Sequence, residues 1–236
     1  MHLDVVFLPC ELDARPRPEP AAVVIDVIRA TTSIVTAFQH GVRAVFPVAS
    51  VEEARRAQAS VPGALLAGER GGQRLPGFDL GNSPRELTSE AVARRDVVLT
   101  TSNGTKTLRA VGAGRVVAIG AFLNRAAVTQ WLLRRAEDAL ILCSGYEGIF
   151  SLEDSVCAGA VVDRAATQPG VVTLGDGAKA CQALWARYAS GLPDLLRETG
   201  WGRHIVTIGL GADLDLCAQL DTTDVVPVMI GGRITL

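Results

Sequence analysis

Four polar segments hold most of the residues in this chain that could do chemistry. They span residues 26–33 (DVIRATTS), 68–84 (GERGGQRLPGFDLGNSP), 100–106 (TTSNGTK) and 143–154 (CSGYEGIFSLED). Each sets carboxylates, arginines, amides or hydroxyls among small residues that let a backbone approach an anion. Together they are the inventory of a site for phosphate and a cation.

Asp26 interrupts a strongly apolar run, where a carboxylate is costly unless it is paired or bound to a cation. Arg29 follows, and Thr31, Thr32 and Ser33 stand where a helix begins, so a threonine cap is the structural alternative there. In the second segment Glu69 and Arg70 precede Gly71, Gly72, Arg74, Asp79 and Asn82, while Ser83, Pro84 and Glu86 spell a capping box with proline at the first helical position. Thr101, Ser102, Asn103, Gly104, Thr105 and Lys106 combine hydroxyls and backbone N–H groups at a helix start, a good anion cradle without the spacing of a Walker A loop. In the fourth segment Ser144 and Gly145 end an apolar run, and Glu147, Glu153 and Asp154 follow. Ser151 to Asp154 also resembles a capping box, so one acid of the pair caps while the other is free to face a cation. Spacing does not choose between them.

These segments need a scaffold that gathers them. Runs rich in Val, Ile and Leu recur at DVVFLP, AAVVIDVI, RAVFPV, ALLAG, DVVLTT, RVVAIG and ALILCSG, near-continuous as in strands covered on both faces. Helices are expected over 31–40, ending at Gly41, and over 51–59 behind Ser50 and Glu53. Others are expected from about Pro84 and over 104–111 and 125–137. The alternation predicts a three-layer α/β/α fold with a mostly parallel or mixed sheet, whose strand ends would present the polar loops. Beyond residue 150 helices dominate, over 152–167, 177–189, 192–199 and 211–219, before a closing strand at VVPVMI. No internal repeat or linker appears, and RPRPEP at 15–20 reads as a loop, so one domain over residues 1–236 is expected.

Composition narrows the function. At 236 residues with 48% hydrophobic content the chain can bury a substantial core. A formal charge of −2 and a pI near 5.9 argue against a nucleic-acid surface. No membrane-length apolar segment and no basic leader are present, which predicts a cytoplasmic protein. Five scattered cysteines (Cys10, Cys143, Cys157, Cys181, Cys217) suit a reducing compartment, and His2, His40 and His204 have no zinc spacing. Any metal would therefore be oxygen-ligated, as magnesium is. His204 reads as a surface or capping residue, and the acids Asp213, Asp215, Asp221 and Asp224 as a solvated helix surface and caps. The G-x-G pairs in GAGRVVAIG and GLGADLDLC lack the third glycine of a dinucleotide loop, and no G-x-S-x-G elbow appears.

Taken in order, DVIRATTS, GERGG with GFDLGNSP, TTSNGT, GIFSLEDSVCAGA, GDGA and VVPVMIGGRI resemble the 2-phosphosulfolactate phosphatase family, magnesium-dependent acid phosphatases. The resemblance covers nearly the whole chain. It implies an α/β fold, Mg²⁺, and hydrolysis of a phosphate monoester on a small anionic acid, by default 2-phospho-3-sulfolactate. On that footing Asp26, Glu69, Glu153 and Asp154 are candidate metal ligands. Arg29, Arg70, Thr101, Asn103, Gly104 and Thr105 are candidates for binding phosphate and the second anionic group. Asp26 is the candidate nucleophile, with direct attack by water as the alternative, and Asp79 or Glu147 the candidate general acid. The arginine-rich composition suggests a GC-rich bacterial genome, in which the substrate could be another 2-phospho-acid. A non-catalytic binder of a small phosphorylated or sulfonated metabolite is the reading from another class, and a homodimer is the expected assembly for a soluble enzyme of this size.

Overall fold

The computed structural model describes residues 1–15, 19–111, 115–167 and 172–236. Residues 16–18 of the proline-rich stretch and Gly112 and Gly114 of the first G-x-G pair lie outside the described residues. Among the described residues one sheet runs through eleven strands, in the order β5-β4-β6-β3-β11-β10-β7-β2-β8-β1-β9. The strands are β1 (His2–Val6), β2 (Ala21–Ile25), β3 (Ala44–Pro47), β4 (Leu65–Arg70), β5 (Gln73–Arg74), β6 (Asp96–Thr100), β7 (Val116–Gly120), β8 (Ala139–Cys143), β9 (Thr173–Leu174), β10 (Val228–Ile230) and β11 (Arg233–Thr235). Pairing is parallel except at β4–β5 and around the hairpin of β10 and β11, which is wedged antiparallel between β7 and β3. The expected α/β architecture with a mixed sheet is what forms. β5, β9 and β11 are additions to the strands legible in the sequence.

The helices are α1 (Ala30–Gln39), α2 (Val51–Ser60), α3 (Ser89–Val92), α4 (Gly104–Val111), α5 (Arg125–Arg135), α6 (Leu152–Ala166), α7 (Asp176–Tyr188), α8 (Leu192–Glu198), α9 (Gly200–Thr207) and α10 (Ala212–Cys217). Alternation along β2 sorts them into layers. Val23 and Ile25 face a core shared with Val128 and Leu132 of α5, Val156 and Val161 of α6, Cys181 of α7 and Leu196 of α8. Ala22 and Val24 face the opposite core, built with Ile34 and Phe38 of α1 and Leu108 and Val111 of α4. β2 is buried on both faces, which is why its sequence is apolar without alternation.

The capping box expected at Ser83 and Glu86 does not form. Pro84–Glu86 makes a single 3-10 turn, Ser83 caps nothing, and the Glu86 carboxylate instead accepts from Gly81 N at 2.8 Å. α9 lies in a region where the sequence pattern predicts no helix, started by Thr199, whose hydroxyl accepts from Gly202 N at 3.2 Å. No helix among the described residues is long and apolar enough to cross a membrane.

Four strands separate β2 from β6, yet a Cβ on Gly104, just after β6, would stand 2.6 Å from Asp26 Oδ2, just after β2. The chain just after β6 thus lies against the carboxyl end of β2, and Glu69 at the end of β4 joins them by accepting from Ser102 N at 2.7 Å.

Candidate active site

Asp26 stands at the carboxyl end of β2, the position where open parallel sheets expose their loops. The turn from strand to helix fixes it. Thr31 Oγ1 accepts from Asp26 N at 3.0 Å and donates to Asp26 O at 2.9 Å, while Asp26 Oδ1 accepts from Ala30 N at 3.1 Å. Thr31 thus belongs to the turn. Burial pushes the Asp26 carboxyl up to about 7, against the Ala30 N–H, which favours the charged form, with Glu69 and Glu153 adding repulsion.

A narrow cleft of about 10 Å³ opens beside it, lined by Asp26, Arg29, Glu69, Asn82, Thr101, Ser102 and Asn103, with Ile28 and Trp201 over them. That is room for one water-sized body. Ser102 and Asn103 also line an adjoining cavity of about 660 Å³, together with Arg70, Lys106, Ser144 and Glu147. The two spaces share one wall, the loop that starts α4.

Arg29 is 2% exposed. Its Nη1 donates to Asp213 Oδ2 at 2.6 Å and its Nη2 to Gly72 O at 2.5 Å, and Ser83 Oγ donates to Asp213 Oδ1 at 2.7 Å. The solvated surface expected for Asp213 is not where it lies. It is buried, and it fixes the guanidinium that faces the cleft. A short helix with acids at alternate positions gives no sign of which acid turns inward, whereas Asp215 of the same helix pairs with exposed Arg197.

Glu69 clamps two loops. Its Oε1 accepts from Ser102 N at 2.7 Å and its Oε2 from Gly72 N at 2.8 Å. Asn82 Oδ1 is buried at the cleft without a hydrogen-bond partner among the described residues. Thr101 and Thr105 staple α4 reciprocally: Thr105 N donates to Thr101 Oγ1 at 3.1 Å, and Thr101 N to Thr105 Oγ1 at 3.0 Å. Their hydroxyls serve the helix start, so of this pair only Thr101 borders the cleft. Gly104 touches the site by lacking a side chain.

Several expected members stand elsewhere. Asp79 is exposed, and its Oδ2 accepts from Leu66 N at 2.8 Å near the start of β4, several residues from the carboxyl edge, so it does not reach the cleft. Asp154 accepts from Val27 N at 2.8 Å and Gly145 N at 3.3 Å, and Ser151 Oγ caps the helix by accepting from Asp154 N. It stitches the ends of β2 and β8. Burial raises the carboxyls of Asp154 and Glu153, yet neither lines the cleft. Among the described residues no three acidic, histidine or cysteine side chains form a metal cage. Arg70 lies in the wider cavity, where its Nη2 donates to Thr100 Oγ1 at 3.0 Å, and Glu147 stands on that cavity's rim with its N–H donating to Asn103 Oδ1 at 3.2 Å.

Trp201 is a member of the site that sequence reasoning does not find. Its Nε1 donates to Ile28 O at 2.8 Å, and its ring stacks between Tyr146 and His204 with both centroid separations 4.7 Å. His204 Nε2 lies 3.0 Å from Gly71 O. α9 thereby covers the cleft. Thr199 as a cap ahead of Trp201, Ile205 and Ile208 is the available signal, obscured by Gly200 and Gly202.

An oxygen-only donor set fits a hard cation. Asp26, Glu69 and the partnerless Asn82 Oδ1 border one space of ionic size, and magnesium is commonly held by one or two carboxylates plus water and substrate oxygens. Of the four carboxylates expected as metal ligands, Asp26 and Glu69 border this space, while Glu153 and Asp154 lie outside its lining but near enough to Asp26 for the charges to repel.

The sequence profile of the family described as 2-phosphosulpholactate phosphatase matches residues 6–232. A protein of Thermotoga petrophila is 37% identical over 230 residues, covering 98% of this chain and 96% of its own length. One of Symbiobacterium thermophilum is 42% identical, covering 91% and 93%, and one of Deinococcus radiodurans is 41% identical, covering 89% and 88%. Each of the three is named as a probable 2-phosphosulfolactate phosphatase. With its segments gathered at one sheet edge and its similarity running nearly end to end, the chain belongs to the 2-phosphosulfolactate phosphatase family.

Proposed function

We propose that this protein is a magnesium-dependent phosphoric monoester hydrolase that acts on a small 2-phospho-acid, with 2-phospho-3-sulfolactate as the default substrate. Water and the monoester give the 2-hydroxy acid, here 3-sulfolactate, and inorganic phosphate. One observation carries the reading: a buried carboxylate, a fixed guanidinium and a partnerless amide oxygen border one ion-sized cleft that opens onto a larger cavity.

Asp26, Glu69 and Asn82 Oδ1 would hold the cation, which when bound neutralises charge on the phosphoryl oxygens. Arg29, held by Asp213 and Gly72 O, turns its remaining N–H donors on the phosphoryl group. The loop of Ser102 and Asn103, common to both spaces, positions phosphorus at their junction. Trp201 keeps bulk water off this junction. Asp26 serves either as the nucleophile, forming an acyl-phosphate that water then hydrolyses, or as the carboxylate that orients the attacking water. Glu147, on the rim of the wide cavity, is the acid available to protonate the leaving alkoxide.

The test is phosphate release from 2-phosphosulfolactate and related monoesters, with Mg²⁺ or with EDTA, by wild type and Asp26→Asn. Turnover that needs Mg²⁺ and falls roughly 10³-fold or more in the variant is expected, since the substitution removes a group that contacts the reacting phosphorus. Hydroxylamine trapping of an acyl-phosphate selects the nucleophilic route. Metal-independent binding without turnover would instead identify a binding protein.

A further inference from the structure

The 660 Å³ cavity is larger than a phosphoryl group needs, and its lining is chemically distinct from the cleft. Its charged members are Arg70, Lys106 and Glu147, two cations against one acid. Arg70 is anchored from behind: Nη1 donates to Glu69 O at 2.6 Å and Nη2 to Thr100 Oγ1 at 3.0 Å. Lys106 rises from the first turn of α4. Between them and the end of β8 lies Ser144, 4% exposed, whose Oγ has no hydrogen-bond partner among the described residues. A buried hydroxyl left without a partner costs stability and calls for an explanation. A ligand oxygen supplies one.

We infer that this cavity is the compartment for the acid arm of the substrate, with Lys106 and Ser144 as specificity-determining residues beside Arg70. The inference rests on the hydrolase reading for the position of phosphorus at the junction. From there the rest of the molecule extends into the wide cavity, where a sulfonate or carboxylate takes charge-assisted hydrogen bonds from Arg70 and Lys106 and one from Ser144 Oγ. Monoesters without a second anionic group leave both the cations and the hydroxyl unanswered, and are discriminated against for that reason.

The experiment separates the acid arm from the phosphate. Calorimetric binding of 3-sulfolactate and of orthophosphate is measured for wild type, Lys106→Ala and Ser144→Ala, alongside the Tm of each protein without ligand. The ratio of the two affinities should shift against 3-sulfolactate by about tenfold or more in both variants, the scale of a lost hydrogen bond to a charged group. Ser144→Ala should keep or raise the ligand-free Tm, because it deletes a hydroxyl that bonds to nothing in the protein. A hydroxyl that merely supported the fold would lower it. An unchanged affinity ratio in both variants, or a wild type that does not bind 3-sulfolactate, overturns the inference. Should the ratio shift while no monoester is hydrolysed, the hydrolase reading fails and the acid-arm compartment stands. Turnover with an unchanged ratio means the opposite: the hydrolase stands and the compartment falls.

Discussion

At the scale of single residues, the buried pair of Arg29 and Asp213 tolerates the loss of neither partner. Their side chains are 1% and 2% exposed, so neither charge has water to fall back on. Asp213→Asn leaves the guanidinium buried and unanswered, and should cost about 3 kcal/mol of stability in urea unfolding as well as weakening phosphate binding. Asp26 predicts a pH dependence of opposite origin. Burial pushes its carboxyl from 3.8 up to about 7, so the folded ligand-free protein holds a proton that the unfolded chain has released. Its contribution to stability is therefore full below about pH 4, declines as pH rises, and levels off above about 7. Asp26→Asn should flatten that part of the profile, measured as urea midpoint against pH. A midpoint that falls equally in both proteins would contradict this assignment. Sequence reasoning can see Asp26, Arg29 and Glu69 because charged residues directly after apolar strands are expensive unless used. It cannot tell that the Asp79 carboxylate accepts from a strand N–H or that the Asp154 carboxylate ties two strand ends together.

At the scale of elements, the strands buried on both faces are legible from their near-continuous apolar runs, and most helices from their caps and breaks. β5, β9 and β11 are not, because two or three residues hold no period. α9 escapes because Gly200 and Gly202 obscure its pattern and because Tyr146, which completes the stack with Trp201 and His204, comes from far along the chain. The packing of α6 on α7 depends on one small residue. A Cβ on Gly159 would lie 1.9 Å from Cys181 O, a backbone atom that cannot rotate away. Gly159→Ala must force the two helices apart and should cost about 2–3 kcal/mol. For a chain of this length that is a fall in Tm of roughly 4–12 °C, readable by scanning calorimetry.

At the scale of the whole molecule, the sheet holds together through the hairpin of β10 and β11. Take residues 228–235 away and the order separates into β5-β4-β6-β3 and β7-β2-β8-β1-β9, two blocks with no strand pairing between them. Val45 then loses its partner Ile234, and Val117 its partner Met229. Truncation before Val228 should abolish cooperative unfolding and expose both inner edges, giving an aggregating species by light scattering. The same wedge sets a timetable during synthesis. Every strand outside the hairpin leaves the ribosome before β10 and β11 do, so the growing chain carries two unfinished half-sheets with facing raw edges until the hairpin slots between them. Vectorial, strand-by-strand folding is closed to this topology. The site at the junction of the two blocks becomes competent only once the hairpin has emerged and closed the gap between them.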